Sequence, residues 1–163
     1  MSDSATGKAQ GSPARPGPGR DQATGRPVPE VLDEAECLRL VASGELGRLV
    51  YTGRFGLTVL PVNYVLQDGN VVFRTTLDGR TDEDLRTGIA GAEYQVAFEV
   101  DEIDREAREG WSVLIHGAAH HVDSEREHAE LLATGVKPWA GGDRDHFIRI
   151  ITTRVTGRRI HQA

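Results

Sequence analysis

Residues 57–77, with the sequence LTVLPVNYVLQDGNVVFRTTL, decide the fold class of this chain of 163 residues. Two runs rich in Val, Leu, Tyr and Phe, residues 57–67 and 71–77, flank the dipeptide Asp68-Gly69. A short Asp-Gly connection between β-branched and aromatic runs is typical of a β-hairpin turn. The stretch therefore predicts a pair of antiparallel strands.

Further strand-like runs lie on both sides of this hairpin, and short helical patterns separate some of them. Strands are predicted at residues 46–52, 94–101, 111–122 and about 147–160. Helices are predicted at residues 33–43, 81–90 and 124–134, with Asp33, Thr81 and Ser124 as their N-caps. Several strands follow one another without a helical crossover, so we expect antiparallel pairing, and closure into a barrel removes the edges of such a sheet. The sequence thus predicts a mainly β fold, a six-stranded antiparallel barrel with a few short helices.

The composition divides the chain into an N-terminal leader, residues 1–28, and one domain, residues 29–163. The leader is rich in Gly, Pro, Ala and Ser and has few large apolar side chains, so we expect it to be disordered. It carries four Lys and Arg residues against two Asp residues, a charge of +2, which leaves −8 on the domain out of a total of −6. An acidic domain argues against a nucleic-acid groove, because phosphate backbones need clustered cations.

The sequence also lacks the apolar segments that membranes and secretion require. No run approaches the length of a membrane span, and the N-terminus has no apolar core of a secretory signal. We therefore expect a cytoplasmic protein that works without a membrane. Cys37 is the only cysteine, which excludes an intrachain disulfide and a Cys-rich metal site, and we expect it to be a small buried side chain.

The histidines do not form a metal-binding pattern. On a strand, His116 and His120 share a face but lie four residues apart, roughly 13 Å, while His121 points to the other face. That spacing does not chelate one ion, so we predict histidines on the strand surface and no metal site; axial binding of haem by a single histidine stays open. The sequence contains no nucleophile elbow, Rossmann fingerprint or phosphate loop, which argues against hydrolysis and phosphoryl transfer.

Three segments carry residues that an ordinary barrel strand does not need. The first is LPVNY at residues 60–64, in which Pro61 cannot donate to a ladder and so predicts an edge, a bulge or a barrel rim. Asn63 is a polar residue between Val62 and further apolar neighbours. The pattern indicates either backbone amides and a short polar group that face a ligand, or a simple bulge that Asn63 caps.

The second segment is FRTT at residues 73–76, followed by Gly79-Arg80 and a predicted helix start. Arginine presents a rigid fork suited to phosphate oxygens, and the amides at a helix start favour an anion. Arg74 and Arg80, with the hydroxyls of Thr75 and Thr76, therefore predict a phosphate cradle. The alternative is a solvated network in which the arginines pair with the surrounding acids, Asp78, Asp82, Glu83 and Asp84.

The third segment is GWSV at residues 110–113, which opens a predicted strand. Trp111 either plugs one end of the barrel or forms one wall of a pocket for a flat ring, with Ser112 offering a hydroxyl. The residues alone leave both alternatives open.

The order of these motifs resembles the flavin-binding split β-barrel family, also described as pyridoxamine 5′-phosphate oxidase-like. The pattern runs PVNY (61–64), FRT (73–75) before Gly79-Arg80, FEVD (98–101), WSV (111–113) with His116-Gly117, and a closing TGR (156–158). The similarity spans about residues 31–160. It implies a small antiparallel split barrel and a homodimer with two cofactor sites at its interface.

The resemblance also implies roles for particular residues. Pro61, Val62 and Asn63 would line the isoalloxazine edge, with backbone amides near its reactive nitrogen. Arg74, Thr75 and Arg80 would hold the phosphate, although relatives commonly carry lysine at the position of Arg80. Trp111 and Ser112 would approach the ring or the ribityl chain from the partner subunit, and Trp139 would supply another aromatic ring near the site.

The leading hypothesis is an FMN-dependent oxidoreductase acting on a small-molecule redox substrate, with no side chain nominated as acid or base. Pyridoxamine phosphate oxidases carry an Arg-x-His pair for their substrate, and we interpret Arg159-Ile160-His161 as a coincidental match, so vitamin B6 chemistry is not predicted. One alternative is a reductase that uses the deazaflavin F420, whose acidic tail needs more cations than this acidic domain offers. Another is a non-catalytic flavin- or haem-binding sensor or carrier.

Overall fold

The computed structural model describes residues 28–76, 79–86, 93–136 and 145–161. Within these ranges the chain forms seven strands and three helices. The strands are β1 (Glu30–Leu32), β2 (Leu46–Gly53), β3 (Gly56–Gln67), β4 (Asn70–Thr75), β5 (Tyr94–Asp104), β6 (Glu109–His121) and β7 (His146–Ile160). The helices are α1 (Glu34–Ser43), α2 (Arg80–Asp84) and α3 (Glu125–Leu132).

Six of the strands close into the antiparallel barrel that the sequence predicts. Their order around the ring is β7-β4-β3-β2-β5-β6, and pairing between β6 and β7 completes it. β1 is an additional strand that was not predicted, because three residues are too few to show an alternating pattern. It pairs with the C-terminal part of β7, beyond the part of β7 that pairs with β4.

The hairpin between β3 and β4 turns at Asp68 and Gly69, as predicted. Both residues have positive φ angles, 50° and 76°. A two-residue turn with two positive φ angles matches the twist of the flanking strands. The turn sets the register in which Gln67 pairs with Asn70 and, further along, Tyr64 pairs with Phe73.

The barrel splits where β3 leaves β4. Their ladder ends at Tyr64 and Phe73, whereas β3 stays paired with β2 as far as Gly56. The Tyr64 N–H donates to the Glu45 carbonyl on the β2 side (3.1 Å), and hydrogen-bonding directions alternate along a strand. Pro61 and Asn63 therefore direct their backbone nitrogens away from β2, toward the open edge, in agreement with the prediction that Pro61 needs an edge or a rim.

Local capping rules place two of the three helices correctly. Asp33 accepts a hydrogen bond from the Glu36 N–H (2.8 Å), and Ser124 accepts one from the Glu127 N–H (3.4 Å). The prediction for α2 was wrong: Gly79 rather than Thr81 is its N-cap, and the helix ends at Asp84. Tertiary contacts explain the difference, because Asp82 and Leu85 turn into the protein and fix the helix without a side-chain cap.

Apolar residues pack in two layers. The barrel interior is filled by large buried side chains, among them Phe73, Phe98 and Ile115. A smaller cluster on the other face of β4 and β7 includes Val72, Leu131 and Phe147, and it lies beneath α3.

Cys37 of α1 is buried against the barrel, as predicted, and this burial raises the pKa of its thiol. Among the described residues, no helix is both long enough and apolar enough to cross a membrane. The predicted leader lies outside the described residues except for Val28, so the division into leader and domain stays a prediction.

Candidate functional site

β3 distributes its three predicted ligand-binding residues over both faces of the sheet. Val62 is buried in the barrel core, and the alternation of a strand puts Pro61 and Asn63 on the outer face. Pro61 is exposed, and half-buried Asn63 donates from Nδ2 to the Glu45 carbonyl (3.2 Å). Val62 therefore directs its side chain into the core and its backbone N–H toward β2, whereas Pro61 and Asn63 present their side chains on the outer face.

Arg74 shares this outer face on the neighbouring strand. The ladder of β3 and β4 ends at the pair Tyr64 and Phe73, so Asn63 and Arg74 are the first residues beyond it, where the two strands part. Alternation along β4 points Phe73 into the core and Arg74 outward. The amide of Asn63 and the guanidinium of Arg74 thus flank the opening at which the barrel splits.

Protein contacts hold the Arg74 guanidinium in place. Nη2 donates to Asp145 Oδ1 (2.8 Å), and Nη1 donates to the Val136 carbonyl (3.5 Å). The charged group also lies over the Phe147 ring, 5.4 Å from its centroid, a favourable cation–π position. Arg74 is therefore an oriented cation, with 18% of its side chain exposed.

A cleft of about 480 Å³ opens beside Asn63. Its lining comprises Glu45, Asn63, Tyr64, Val65, Thr134, Gly135 and Val136. Because the Val136 carbonyl accepts from Arg74, the cleft and the guanidinium share a wall. One concave surface thus combines an amide, an apolar wall and a cation.

The chain turns sharply after Arg74 into α2. Thr75 is buried, Thr76 is exposed, and the Gly79 N–H donates to the Thr76 carbonyl (3.0 Å). Arg80 is exposed at the first position of α2 and makes no ion pair within the described part of the chain. This segment, residues 74–80, therefore presents one oriented guanidinium, one exposed guanidinium and one exposed hydroxyl.

The acids that follow Arg80 have partners elsewhere. Asp82 contacts Arg86 and His121 (3.1 and 3.0 Å), while Glu83 and Asp84 pair with Arg54 (2.5 and 2.8 Å). Asp78, the other acid of the solvated-network alternative, lies outside the described residues.

Trp111 and Ser112 occupy β6 and point to opposite faces of it. Trp111 packs against the barrel core and lines a groove of about 680 Å³ formed by the β5–β6 hairpin and the end of β7. Ser112 is on the outer face, where its Oγ accepts a weak hydrogen bond from Arg158 Nε (3.4 Å). Trp111 thus packs on the barrel core and also borders a groove.

The structure does not bring the β3 and β6 residues together within one chain. In the six-membered ring of strands, β3 and β6 are each separated by two strands in either direction, so they lie opposite one another. The interior between them is filled by the core. Trp139, the remaining predicted site residue, lies outside the described residues.

The family model for pyridoxamine 5′-phosphate oxidase matches residues 33–159. The chain belongs to this family. An uncharacterised member from Mycobacterium tuberculosis, Rv0080, is 36% identical over 145 residues, which cover 88% of this chain and 94% of that protein. The solved structure of the FAD binding protein from Mycobacterium smegmatis is 32% identical, covers 82% of this chain and 100% of its own, and superimposes with a TM-score of 0.68.

The same fold extends to more distant solved structures. A FAD-binding protein from Mesorhizobium loti is 22% identical, with a TM-score of 0.66 over 83% of this chain and 98% of its own. The protein thus has the flavin-binding split-barrel fold of the pyridoxamine 5′-phosphate oxidase family, as its sequence motifs imply.

The Arg-x-His pair associated with pyridoxamine phosphate oxidases has structural partners in this family member. Arg159 donates to Glu36 of α1 (2.6 Å), and His161 contacts Glu30 of β1 (3.0 Å). Hydrogen bonds from Arg39 and Arg159 lower the pKa of Glu36 to about 2. These contacts anchor the end of β7 to α1 and β1, which is consistent with reading the match as coincidental.

Sequence reasoning missed the environment of His121. His116 and His120 are exposed on β6, as predicted, but His121 is largely buried and its Nε2 lies 3.0 Å from Asp82 Oδ1. The available signal was the position of His121 on the opposite face of the strand. Among the described residues, no group of three or more His, Cys, Asp or Glu side chains could hold a metal ion.

Proposed function

We propose that this protein binds FMN and acts as a flavin-dependent oxidoreductase on a small-molecule substrate. One observation carries the proposal: the open edge of β3 at Asn63 and the Arg74 guanidinium lie at the same opening of the split barrel. Hydrogen-bonding groups on one side and a cation on the other suit a flat polar ring that ends in a phosphate. A bound flavin supplies hydride or electron transfer, while the protein binds and orients it.

The residues of the 74–80 segment support binding of the phosphate. A guanidinium has five N–H donors, so Arg74 can keep Asp145 and the Val136 carbonyl and still offer donors to a phosphate. Arg80 and the Thr76 hydroxyl are exposed within a few residues of it. Thr75 is buried, so we assign its contribution to the backbone and to packing beneath the phosphate.

The open edge of β3 supports binding of the ring. The β3–β4 ladder ends at Tyr64, so Asn63 directs its backbone N–H and Pro61 its carbonyl toward the open edge. A backbone N–H that is fixed before the ring arrives stabilises negative charge on it without reorganisation. Pro61 and the cleft beside Asn63 add apolar surface for one ring face, and no acid or base side chain is assigned.

A second copy of the chain completes the site in this proposal. The β3 residues and Trp111 lie on opposite strands, so a pocket that uses both needs a homodimer with two equivalent sites. The outer face beside Pro61 carries apolar side chains suited to such an interface: Leu57 is 77% exposed and Val59 is 56% exposed. Ser112 and Trp111 of the partner would then approach the ring or the ribityl chain, as would Trp139.

FMN must be distinguished experimentally from three other candidate ligands, FAD, F420 and haem. The similarity to the FAD binding protein of Mycobacterium smegmatis favours FAD as the second candidate. F420 carries a longer acidic tail, for which the net charge of −6 is unfavourable. The visible spectrum of the purified protein distinguishes a bound flavin from F420 and from haem. A competition experiment between FMN and FAD shows which of the two flavins binds with the higher affinity.

Substitutions in the 74–80 segment test the phosphate assignment. Arg80→Gln and Arg74→Gln should each weaken FMN binding by about tenfold to a hundredfold, since a hydrogen bond to a charged group contributes about 1.5–3 kcal/mol. Riboflavin, which has no phosphate, should lose less than about twofold by the same reasoning. Arg126→Gln is the matched control, because Arg126 lies on exposed α3 and pairs with Glu130 (3.0 Å). Equal losses of affinity for FMN and riboflavin would show that Arg74 and Arg80 do not bind the phosphate.

A further inference from the structure

α2 closes the end of the barrel next to the 74–80 segment, and a buried contact between Asp82 and His121 holds it there. Asp82 is completely buried. Its Oδ1 lies 3.0 Å from His121 Nε2 at the end of β6, and its Oδ2 accepts from Arg86 Nε (3.1 Å). His121 Nε2 is itself buried, and the Asp82 carboxylate lies directly beside it.

Tertiary contacts rather than helix propensity determine where α2 lies. Its five residues are far fewer than an isolated helix needs to persist in water. Leu85 packs into the barrel core, and Arg54 in the β2–β3 turn donates to Asp84 (2.8 Å). The contact between Asp82 and His121 adds a tie to β6, on the side away from that turn.

The position of Arg80 depends on these ties. Arg80 precedes Asp82 by two residues in the same short helix, and the turn closed by Gly79 and Thr76 connects it to β4. β7 lies between β4 and β6 at this end, since its residues 148–150 pair with both strands. The contact from Asp82 to His121 therefore spans from the 74–80 segment across the barrel end to β6.

We infer that Asp82 and His121 are positioning residues for the phosphate end of the cofactor site. Their contact fixes α2 and thereby presents Arg80 and Thr76 to the phosphate; the inference rests on the proposed function. If the imidazole is removed, the buried carboxylate keeps Arg86 of its own segment but loses its contact with β6, so Asp82 no longer ties α2 to that strand. α2 then shifts until water reaches Asp82, and Arg80 moves with it.

A double-mutant cycle with two ligands tests this inference. The affinities of FMN and riboflavin are measured for the wild type, His121→Leu, Asp82→Asn and the double variant. His121→Leu should weaken FMN binding by about tenfold, the loss of one charge-assisted contact, and riboflavin binding by less than about twofold. In the Asp82→Asn background the same substitution should cost much less, because the contact between the carboxylate and the imidazole is already absent.

Two control variants separate positioning from general stability. His120→Leu changes the adjacent, exposed histidine, which faces Glu93 at 3.7 Å, and should leave both affinities unchanged. Arg54→Gln loosens α2 from an exposed site and should reproduce the FMN-selective loss even if His121→Leu does not fold.

The outcomes distinguish this inference from the proposed function. If the wild type binds FMN but His121→Leu and Arg54→Gln leave the FMN-to-riboflavin ratio unchanged, the positioning role is wrong and the proposed function stands. An equal loss for both ligands, or a lower melting temperature with an unchanged ratio, also overturns it. If the wild type binds neither ligand, both proposals fail.

Discussion

At the scale of single residues, Tyr64 shows how one side chain joins the core to a helix end. Its hydroxyl donates to the Val41 carbonyl of α1 (2.5 Å), and its ring packs edge-on against Phe98 with centroids 5.0 Å apart. Burial raises the pKa of the Tyr64 hydroxyl above its ordinary value. Gly44 leaves room for this contact, because a Cβ there would lie 2.6 Å from the Tyr64 oxygen.

Removing that hydroxyl should destabilise the fold. Tyr64→Phe removes one of the two donors to the Val41 carbonyl, which keeps the Gly44 N–H (3.2 Å), so we expect the free energy of unfolding to fall by about 0.5–1.5 kcal/mol, the net contribution of one hydrogen bond. Urea denaturation measures it. Tyr94→Phe removes an exposed hydroxyl contact to Thr52 and should change the free energy by less than about 0.5 kcal/mol. Equal effects of the two substitutions would contradict the role of burial.

Residue-scale features were predictable where their cause is local. The capping of α1 by Asp33 follows from a partner three residues away. The ion pair between Arg74 and Asp145 joins residues 71 positions apart, and the contact of Asp82 with His121 depends on how the barrel closes. No sequence pattern encodes such distances, so the candidate cation was predictable but its protein partner was not.

At the scale of elements, the ends of the sheet are anchored by ion pairs to short segments. Arg159 near the end of β7 donates to Glu36 of α1 (2.6 Å), and Glu36 also accepts from Arg39 (2.8 Å). Side-chain hydrogen bonds from these two arginines lower the pKa of Glu36 from 4.5 to about 2. The stabilisation is therefore complete above pH 4.5 and is lost as the pH falls from there toward 2.

Substitution of Glu36 should remove this pH dependence. Glu36→Gln should be less stable than the wild type at neutral pH, and the difference should shrink as the pH falls below 4.5. Chemical denaturation at several pH values measures the difference. Glu34→Gln, two residues earlier in the same first turn of α1, is the control. A difference that stays constant down to pH 2 would show that the ion pairs do not act through the Glu36 carboxylate.

The helices also show where sequence rules fail at this scale. α1 and α3 have amphipathic patterns and side-chain caps, so their starts were predicted to the residue. α2 has neither, and its limits follow from the burial of Asp82 and Leu85 at the barrel end. Rules that use only neighbouring residues do not predict the limits of a helix that tertiary contacts determine.

At the scale of the whole molecule, the split of the barrel connects fold and proposed function. The Asp68-Gly69 turn and the alternating runs predicted the strands, and the order of the motifs predicted the family. The closure of β6 onto β7 was not readable from either, and it is this closure that puts Trp111 opposite Pro61 in the ring. The resemblance already implied that Trp111 and Ser112 approach from the partner subunit, and the strand order gives the physical reason.

If two copies complete the site, disrupting the apolar outer face should separate them. Val59→Asp places a charge among exposed apolar residues of β3, so we expect the dimer to dissociate toward the 17.8 kDa monomer and to lose FMN affinity. Sedimentation measures the mass. Leu132→Asp, at a half-exposed position of α3, should leave the mass unchanged. A wild-type monomer that binds FMN fully would contradict the shared site.

Equilibrium titration of the wild-type protein with FMN and with riboflavin, followed by flavin fluorescence, tests the central claim most directly. We predict one FMN per subunit and an affinity for FMN at least about tenfold higher than for riboflavin, because charge-assisted hydrogen bonds hold the phosphate. Equal affinities for the two compounds, or no binding of either, would contradict a flavin site whose cationic end is the 74–80 segment.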